Sequence, residues 1–306
     1  MELDNKPGSK KVARVKASLK RLLKRWPRLN DAVRAYRRQG FAVFLEFPVA
    51  NDPRYTPGHP QSAIHSYLTD RRDLFAERLN MISAAATDGL EAIGRQTNPG
   101  PNDPSPMNLY FYGLDAAVLY GMMGSIRPRK YLEVGSGNST LFARRAIQDF
   151  KLDTTLISID PLPRTGVEDI CDVTIRAQLQ ETDLSEVLAL EKDDVLFIDG
   201  SHYAFTNTDV TTIFLEVLPQ LSPGVVVHLH DIFLPYDYPA AWTERYYNEQ
   251  YLLATLLLFG SRRVQPLMAN HFALADPTLR KSAERIRRLL PAGEAYEGSF
   301  WMKMEG

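Results

Sequence analysis

The sequence predicts an α/β protein, a doubly wound sheet with an N-terminal helical extension. Three observations carry this. From residue 107 onward, short and almost continuously apolar runs alternate with helical stretches, the texture of strands covered by helices on both faces. The first such run ends in a Gly135-x-Gly137 turn that opens a helix. The first 40 residues are of a different kind, strongly basic and periodic at helical spacing.

In the basic head, Val12, Val15, Leu19, Leu22, Leu23 and Trp26 recur in steps of three and four, with Lys and Arg filling the other face. This is an amphipathic helix, ended or kinked by Pro27. A second short helix is expected from Asn30 or Asp31 to Gly40. Residues 1–40 hold 13 Lys/Arg against three acids, a net +10, and the other 23 Lys/Arg and 34 acids leave the remaining chain at −11. Such asymmetry marks a segment that docks on a surface, a partner or its own body. The apolar run Phe41–Phe47 is a short strand or a buried extended segment. A loop follows from Asn51 to Gln61, then a helix from Thr69 or Asp70 to about Gly94, with Leu74, Leu79, Ile82, Ala85 and Leu90 near one side. The proline-rich stretch 98–106 cannot be helix or central strand, and we place a boundary there. The expected organisation is 1–40 basic segment, 41–106 mostly helical region, 107–306 ligand-binding domain.

Within that domain strands are expected at Lys130–Val134, Thr155–Ile159, Val173–Ala177, Val195–Ile198 and Val225–Leu229, then at Val264–Ala269 and Ser299–Met304. Helices are expected at Ser139–Phe150, Thr182–Leu190, Asn207–Leu221, Ala241–Phe259 and Pro277–Leu290. The single cysteine, Cys171, excludes an internal disulfide and a multi-cysteine zinc site. No run approaches the ~18 apolar residues of a membrane span, and the N-terminus lacks the apolar core of a secretory signal. The expected location is the cytoplasm. The basic stretch at 10–26, with eight Lys/Arg and no acid, would suit the surface of an anionic membrane. Docking on the acidic body or on a second subunit is the other account. Nucleic acid is disfavoured, because the body is acidic and no base-reading motif is present.

Four motifs carry chemistry. Glu133, Gly135, Ser136, Gly137 and Ser139 form a strand–turn–helix with an acid before the first glycine. Glycine lets the backbone turn tightly and approach a ligand, and the helix start offers free N–H groups. A nearby carboxylate suits a cationic ligand better than a phosphate. Asp160 ends the second strand, where an adenosine ribose would present its hydroxyls. Asp199 and His202 (in Phe197-Ile-Asp-Gly-Ser-His202) and His230-Asp231 end two central strands, at the edge where such sheets bind ligands. These four could supply a general base or hold a hard cation. His228, one strand period from His230, is expected to be a core histidine.

Taken together, these motifs resemble the class I S-adenosylmethionine (SAM)-dependent methyltransferases, in particular the bacterial group with FIDGSH and HD signatures that includes sugar and natural-product O-methyltransferases. The resemblance covers about residues 108–304. It implies a Rossmann-like seven-stranded sheet of order 3-2-1-4-5-7-6 with one antiparallel strand, Ser299–Met304. It implies that Gly135–Gly137 pass under the methionine part of SAM, that Glu133 orients its ammonium end, that Asp160 holds the ribose and that Asp199 faces the reaction centre. Residues 178–183 would lie near the adenine. In catechol-type relatives an Asp on the fourth strand and an Asp-Asn pair on the fifth bind Mg2+. Asp199 and Asp231 match two of these positions, but Ile232 stands at the Asn position. The implied activity is O-methylation of a sugar, glycan or secondary-metabolite hydroxyl, with His202 or His230 as base and Asp199 and Asp231 orienting it or holding a cation. The other readings are a SAM-fold hydroxylase, lyase or non-catalytic binder. An NAD-dependent enzyme is disfavoured by Glu133 and by Ser139, where a third glycine would be expected. Aromatic loops at Asn108–Tyr112 and Phe233–Pro239 could wall an acceptor pocket or pack the regions together. A homo-oligomer is compatible with the sequence.

Overall fold

The computed structural model describes residues 52–306 apart from Leu109, Arg164, Thr165, Ser261 and 291–295. The expected elements at Val12–Trp26, Asn30–Gly40 and Phe41–Phe47 lie outside the described residues.

Seven strands form one sheet: β1 (Lys130–Val134), β2 (Thr155–Ile159), β3 (Val173–Ile175), β4 (Val195–Ile198), β5 (Val226–Leu229), β6 (Val264–Ala269) and β7 (Phe300–Met304). Their order is β3-β2-β1-β4-β5-β7-β6. The first five pair in parallel, and β7 runs antiparallel between β5 and β6. This is the doubly wound, Rossmann-like sheet that the sequence predicts. β4 and β5 are buried at every position, which is why they read as unbroken apolar runs.

The helices are α1 (Ser62–Thr69), α2 (Arg72–Gly94), α3 (Gly113–Ile126), α4 (Asn138–Asp149), α5 (Ser185–Leu188), α6 (Asp209–Thr212), α7 (Glu249–Phe259), α8 (Asn270–Ala275) and α9 (Arg280–Arg287). Residues 51–306 make one compact unit, and the side chains of α2 and α3 share the core of the sheet. The stretch 98–106 is a loop between α2 and α3. The buried stripe of α2 is Phe75, Leu79, Ile82, Ala86, Leu90 and Ile93, so Phe75 and Ala86 replace the expected Leu74 and Ala85. Steps of three and four from Leu79, Ile82 and Leu90 lead to Phe75 and Ala86, and leave Leu74 and Ala85 off that face.

Two expected helices are broken. Asn207–Leu221 becomes α6, a π turn at Ile213–Val217 and a 3-10 turn at Leu218–Gln220. Ala241–Phe259 becomes a 3-10 turn at Ala240–Arg245, a left-handed Tyr246 (φ 56°) and then α7. That second break leaves Tyr247, Asn248 and Glu249 in a loop and a helix start. The expected helices at Thr182–Leu190 and Pro277–Leu290 shorten to α5 and α9.

Candidate functional site

Backbone bonds put four strand ends on one level. Asp160 N–H donates to Ile175, Gly135 N–H to Ile159, Asp199 N–H to Val134 and His230 N–H to Ile198, at 2.9–3.0 Å. All the sequence-predicted residues therefore emerge along the C-terminal edge of β2, β1, β4 and β5. The chain reverses direction across the sheet between β1 and β4, the place where α/β sheets hold ligands.

On the β1–β2 side the parts are local. Gly135 has φ 85°, and a Cβ there would lie 1.9 Å from the Asp199 carbonyl oxygen. No side chain fits. The Asp160 carboxylate accepts N–H bonds from Ser136 and Leu162, each 2.7 Å, and the Ser136 hydroxyl bonds Ser158. Gly137 caps α4 through its N–H to Thr140 Oγ1, 3.0 Å. Asp160 is half-buried. A carboxylate has about four acceptor positions, and two remain for hydroxyls. Glu133 differs from expectation. It is fully buried, and its two oxygens accept the hydroxyls of Ser139 and Thr140, the latter at 2.6 Å. Burial pushes its carboxyl up to about 8 against the pull of those hydroxyls. Glu133 braces the first turn of α4. Of the expected adenine stretch, Leu179–Glu181 forms a 3-10 turn with Leu179 buried.

On the β4–β5 side the parts come from distant segments. His202 Nε2 lies 3.4 Å from Asp199 Oδ1 and 3.4 Å from Asp231 Oδ2. His230 Nδ1 lies 3.4 Å from Asp199 Oδ1 and from Asp231 Oδ1. Asp199 is the open member, with 34% of its side chain exposed against 12% for Asp231 and 6% for each histidine. His202 and Asp231 both sit at positive φ, 62° and 57°. Non-glycine residues held there store strain that clusters at functional sites. Gly200 admits the Asp209 carboxylate, which a Cβ would meet at 1.9 Å, and this anchors the turn through Ser201 N–H, 2.7 Å.

Two further carboxylates, which the sequence did not reveal, close the network. Glu249 Oε2 lies 2.9 Å from His202 Nδ1, and Asp115 Oδ2 lies 3.4 Å from His230 Nε2. Asp115, buried in the first turn of α3, also accepts from Asn270 and from the backbone of Gly298 and Ser299 at 2.8–2.9 Å. Burial alone would push both histidines down. The carboxylates around them outweigh it and hold each well above the ordinary imidazole value. Burial likewise raises Asp231, while the histidines hold Asp199 low.

His228 is a core histidine, as expected. It is fully buried, bonded to Ser299 Oγ at 2.9 Å, stacked on Phe197 at 3.9 Å, and pushed well down by burial. The aromatic loops mostly pack inward. Phe111 lies against His230 at 5.3 Å, Tyr238 is buried against Phe233, and Tyr110 is exposed. Tyr247, expected on a helix, lies 4.6 Å from the His202 ring.

The donor set fits a divalent cation. One donor atom from each of Asp199, His230 and Asp231 lies within 4.8 Å of the others. Ile232, at the position of the expected Asn, is buried and gives only its N–H, to Gly298 at 2.7 Å. His230 supplies the third donor instead.

Residues 132–232 match the family model Methyltransf_24, described as a methyltransferase domain. Over these residues the chain resembles a methyltransferase domain. No curated protein matches the sequence. Among solved structures, the chain is similar to an O-methyltransferase from Bacillus cereus in complex with SAH (15% identity, 72% of this chain and 90% of that one, TM-score 0.37). It is also similar to TomG from Streptomyces achromogenes, an O-methyltransferase involved in tomaymycin synthesis (16%, 75% and 90%, TM-score 0.31), and to the plantazolicin methyltransferase BpumL (12%, 80% and 95%, TM-score 0.37). Likeness this distant does not bear on the chemistry of this chain.

Proposed function

We propose that the domain methylates a hydroxyl oxygen on a sugar, glycan or secondary metabolite, with His202 as the base. The observation that carries this is the convergence of Asp199, His202, His230 and Asp231 at the ends of β4 and β5. SAM, when bound, supplies an electrophilic methyl carbon on a sulfonium sulfur. Asp160 would hold its ribose, and the loop Gly135–Gly137 with Ser136 and Ser139 would line its path. The acceptor approaches across Asp199, the exposed side of the cluster. As its oxygen bonds to the methyl carbon, the carbon–sulfur bond breaks and its electron pair stays on sulfur. The hydroxyl proton passes to Nε2 of the neutral His202 ring and then to solvent. Because the carboxylates around it hold the ring well above the ordinary imidazole value, turnover should rise with pH. A positioned base of this kind contributes about 10²–10⁴-fold.

A divalent cation such as Mg2+ is part of this reading, held by Asp199 and Asp231 with His230 as third donor. It would lower the pKa of an acceptor hydroxyl and would separate two carboxylates that otherwise repel. Calorimetry with Mg2+ and a turnover assay over an acceptor panel test both parts. The expected result is methylated product, lost in EDTA and restored by Mg2+. SAM binding with no product from any acceptor would favour a SAM-fold protein of other chemistry. Full turnover in metal-free protein would remove the cation.

The setting we propose is cytoplasmic, with residues 10–26 resting on an anionic membrane surface beside a lipid-linked acceptor. Support comes from their composition, eight Lys/Arg and no acid around an apolar stripe.

A further inference from the structure

Beyond His202 the wall of the cluster is aromatic, and it ends in a cation. The Tyr247 ring lies 4.6 Å from the imidazole and 6.1 Å from the Trp242 ring. Trp242 is fixed in orientation by two nearly perpendicular rings, Phe233 at 5.3 Å and Tyr296 at 5.7 Å. Over this shelf lies the Arg245 guanidinium, its Cζ 3.9 Å from the Trp242 ring centroid and 5.6 Å from that of Tyr247. Trp242 and Tyr247 are half-buried and Arg245 is exposed. The backbone beneath is pinned, since the Tyr203 hydroxyl donates to the Arg245 carbonyl at 2.9 Å.

Arg245 has no ion-pair partner among the described residues, although Asp199, Asp231 and Glu249 all crowd the neighbouring His202. Stacking engages the face of a guanidinium. It leaves the N–H donors in the plane, free to pair with a carboxylate or phosphate. Covering Trp242 alone would be served by any long side chain. What arginine adds is a charged fork whose place is set before a ligand arrives, and a group already ordered loses less freedom on binding.

We propose that Arg245, stacked on Trp242 and Tyr247, is an anion-binding subsite for the methyl acceptor, which carries a phosphate or carboxylate beyond the hydroxyl that is methylated. The proposal rests on the reading of Asp199 and His202 as the reaction edge, and it narrows the acceptor class of that reading. An acceptor whose hydroxyl lies at that edge has only the Tyr247 ring to cross before it meets Arg245. Its ring or chain would lie against Tyr247 and Trp242, and its oxyanion would take the fork.

The binding test follows the Arg245 Nε–H and the Trp242 indole N–H by NMR in full-length, uniformly 15N-labelled, metal-free protein. The signals are assigned by their loss in Arg245→Gln and Trp242→Phe. Phenyl phosphate and benzoate are the probes, and phenol is the neutral control. At least one anion should move both signals to saturation with a Kd near or below about 10 mM, and phenol should not. Arg288, an exposed arginine on α9, should not saturate in that range. Read at the indole, Arg245→Lys should weaken binding about 3–10-fold and Arg245→Gln at least about tenfold. In turnover, a panel offers each acceptor as the free alcohol, as a soluble anion and as a lipid-linked phosphate, which separates a soluble source of the charge from a membrane one. Whichever anionic form is methylated, Arg245→Gln should raise its KM about 10–100-fold and leave kcat within about threefold. Arg245 signals that ignore both anions, or that respond no more than Arg288, would overturn the proposal. So would a neutral acceptor methylated with the same KM by the parent and by Arg245→Gln. Saturable anion binding at Arg245 with no methylated product from any acceptor would uphold the subsite and strike instead at methyl transfer.

Discussion

The two halves of the sheet edge are built on different plans. On the β1–β2 side, Glu133, Gly135, Ser136, Ser139 and Asp160 lie within 28 positions of one another, and each is held by a neighbour in the same strand–turn–helix unit. On the β4–β5 side, His202 and His230 are held by Glu249 and Asp115, which are 47 and 115 positions away. The first half is a local structure that any chain with these glycines would form. The second is a tertiary assembly, in which burial forces charges together and each must find an opposite partner. A local site tolerates the loss of one contact. An alternating acid–histidine array does not, because every member is a counter-ion for the next.

The comparison can be broken in several ways. The largest effect is expected on the assembled half. His202→Gln should lower kcat by about 10²–10⁴-fold and leave SAM affinity within about twofold. A small kcat loss, or a matching loss of SAM affinity, would show that the two halves are not separable.

A second test addresses the local half through pH. In the fold the Glu133 carboxyl titrates at about 8, and in the unfolded chain at an ordinary value near ~4.3. The folded state thus binds the extra proton between these values. Its contribution to stability is full below the unfolded value and is lost as pH rises through about 8, on the order of 5 kcal/mol across the window. Glu133→Gln should flatten that decline in chemical denaturation between pH 5 and 8. Glu297, raised to about 7 by burial, should leave a residual slope of the same sign. An unchanged slope in the variant would mean that Glu133 is ionised in the fold.

Asp160→Ala should weaken SAM binding by about 2 kcal/mol, read by calorimetry on folded protein, with no change in cation affinity. Loss of the cation instead would place Asp160 in the other half. The smallest effect concerns the basic head. Each Lys or Arg near an anionic surface contributes about 1 kcal/mol, so replacing Lys16 and Lys20 by Gln should loosen binding to anionic vesicles by about 2 kcal/mol in co-sedimentation. A chain starting at Asn30 should stay in solution. Equal pelleting of the full and shortened chains would leave docking on the acidic body as the better account.

What was legible in the sequence follows the same division. Strands β1, β2, β4 and β6 have the predicted bounds, because a buried strand is a short apolar run whatever surrounds it. Asp160, Asp199, His202, His230 and Asp231 were legible because the end of such a strand is itself visible, as the apolar run stops at a polar residue. Helix breaks were not. Trp242 to Phe259 has helical composition throughout, yet Tyr246 turns left-handed, because Asn248 and Glu249 gain more from partners on the His202 turn than from helix continuation.

The sequence by itself determined the layered fold and the order of polar residues along the sheet edge. These depend on apolar period, glycine and strand ends, which act over a few residues. The tertiary structure alone decided that Asp115 and Glu249 complete the array. Those outcomes depend on which charges are buried side by side. Burial is a property of the packed chain, and no local pattern around Asp115 or Glu249 distinguishes them from acids that stay in water.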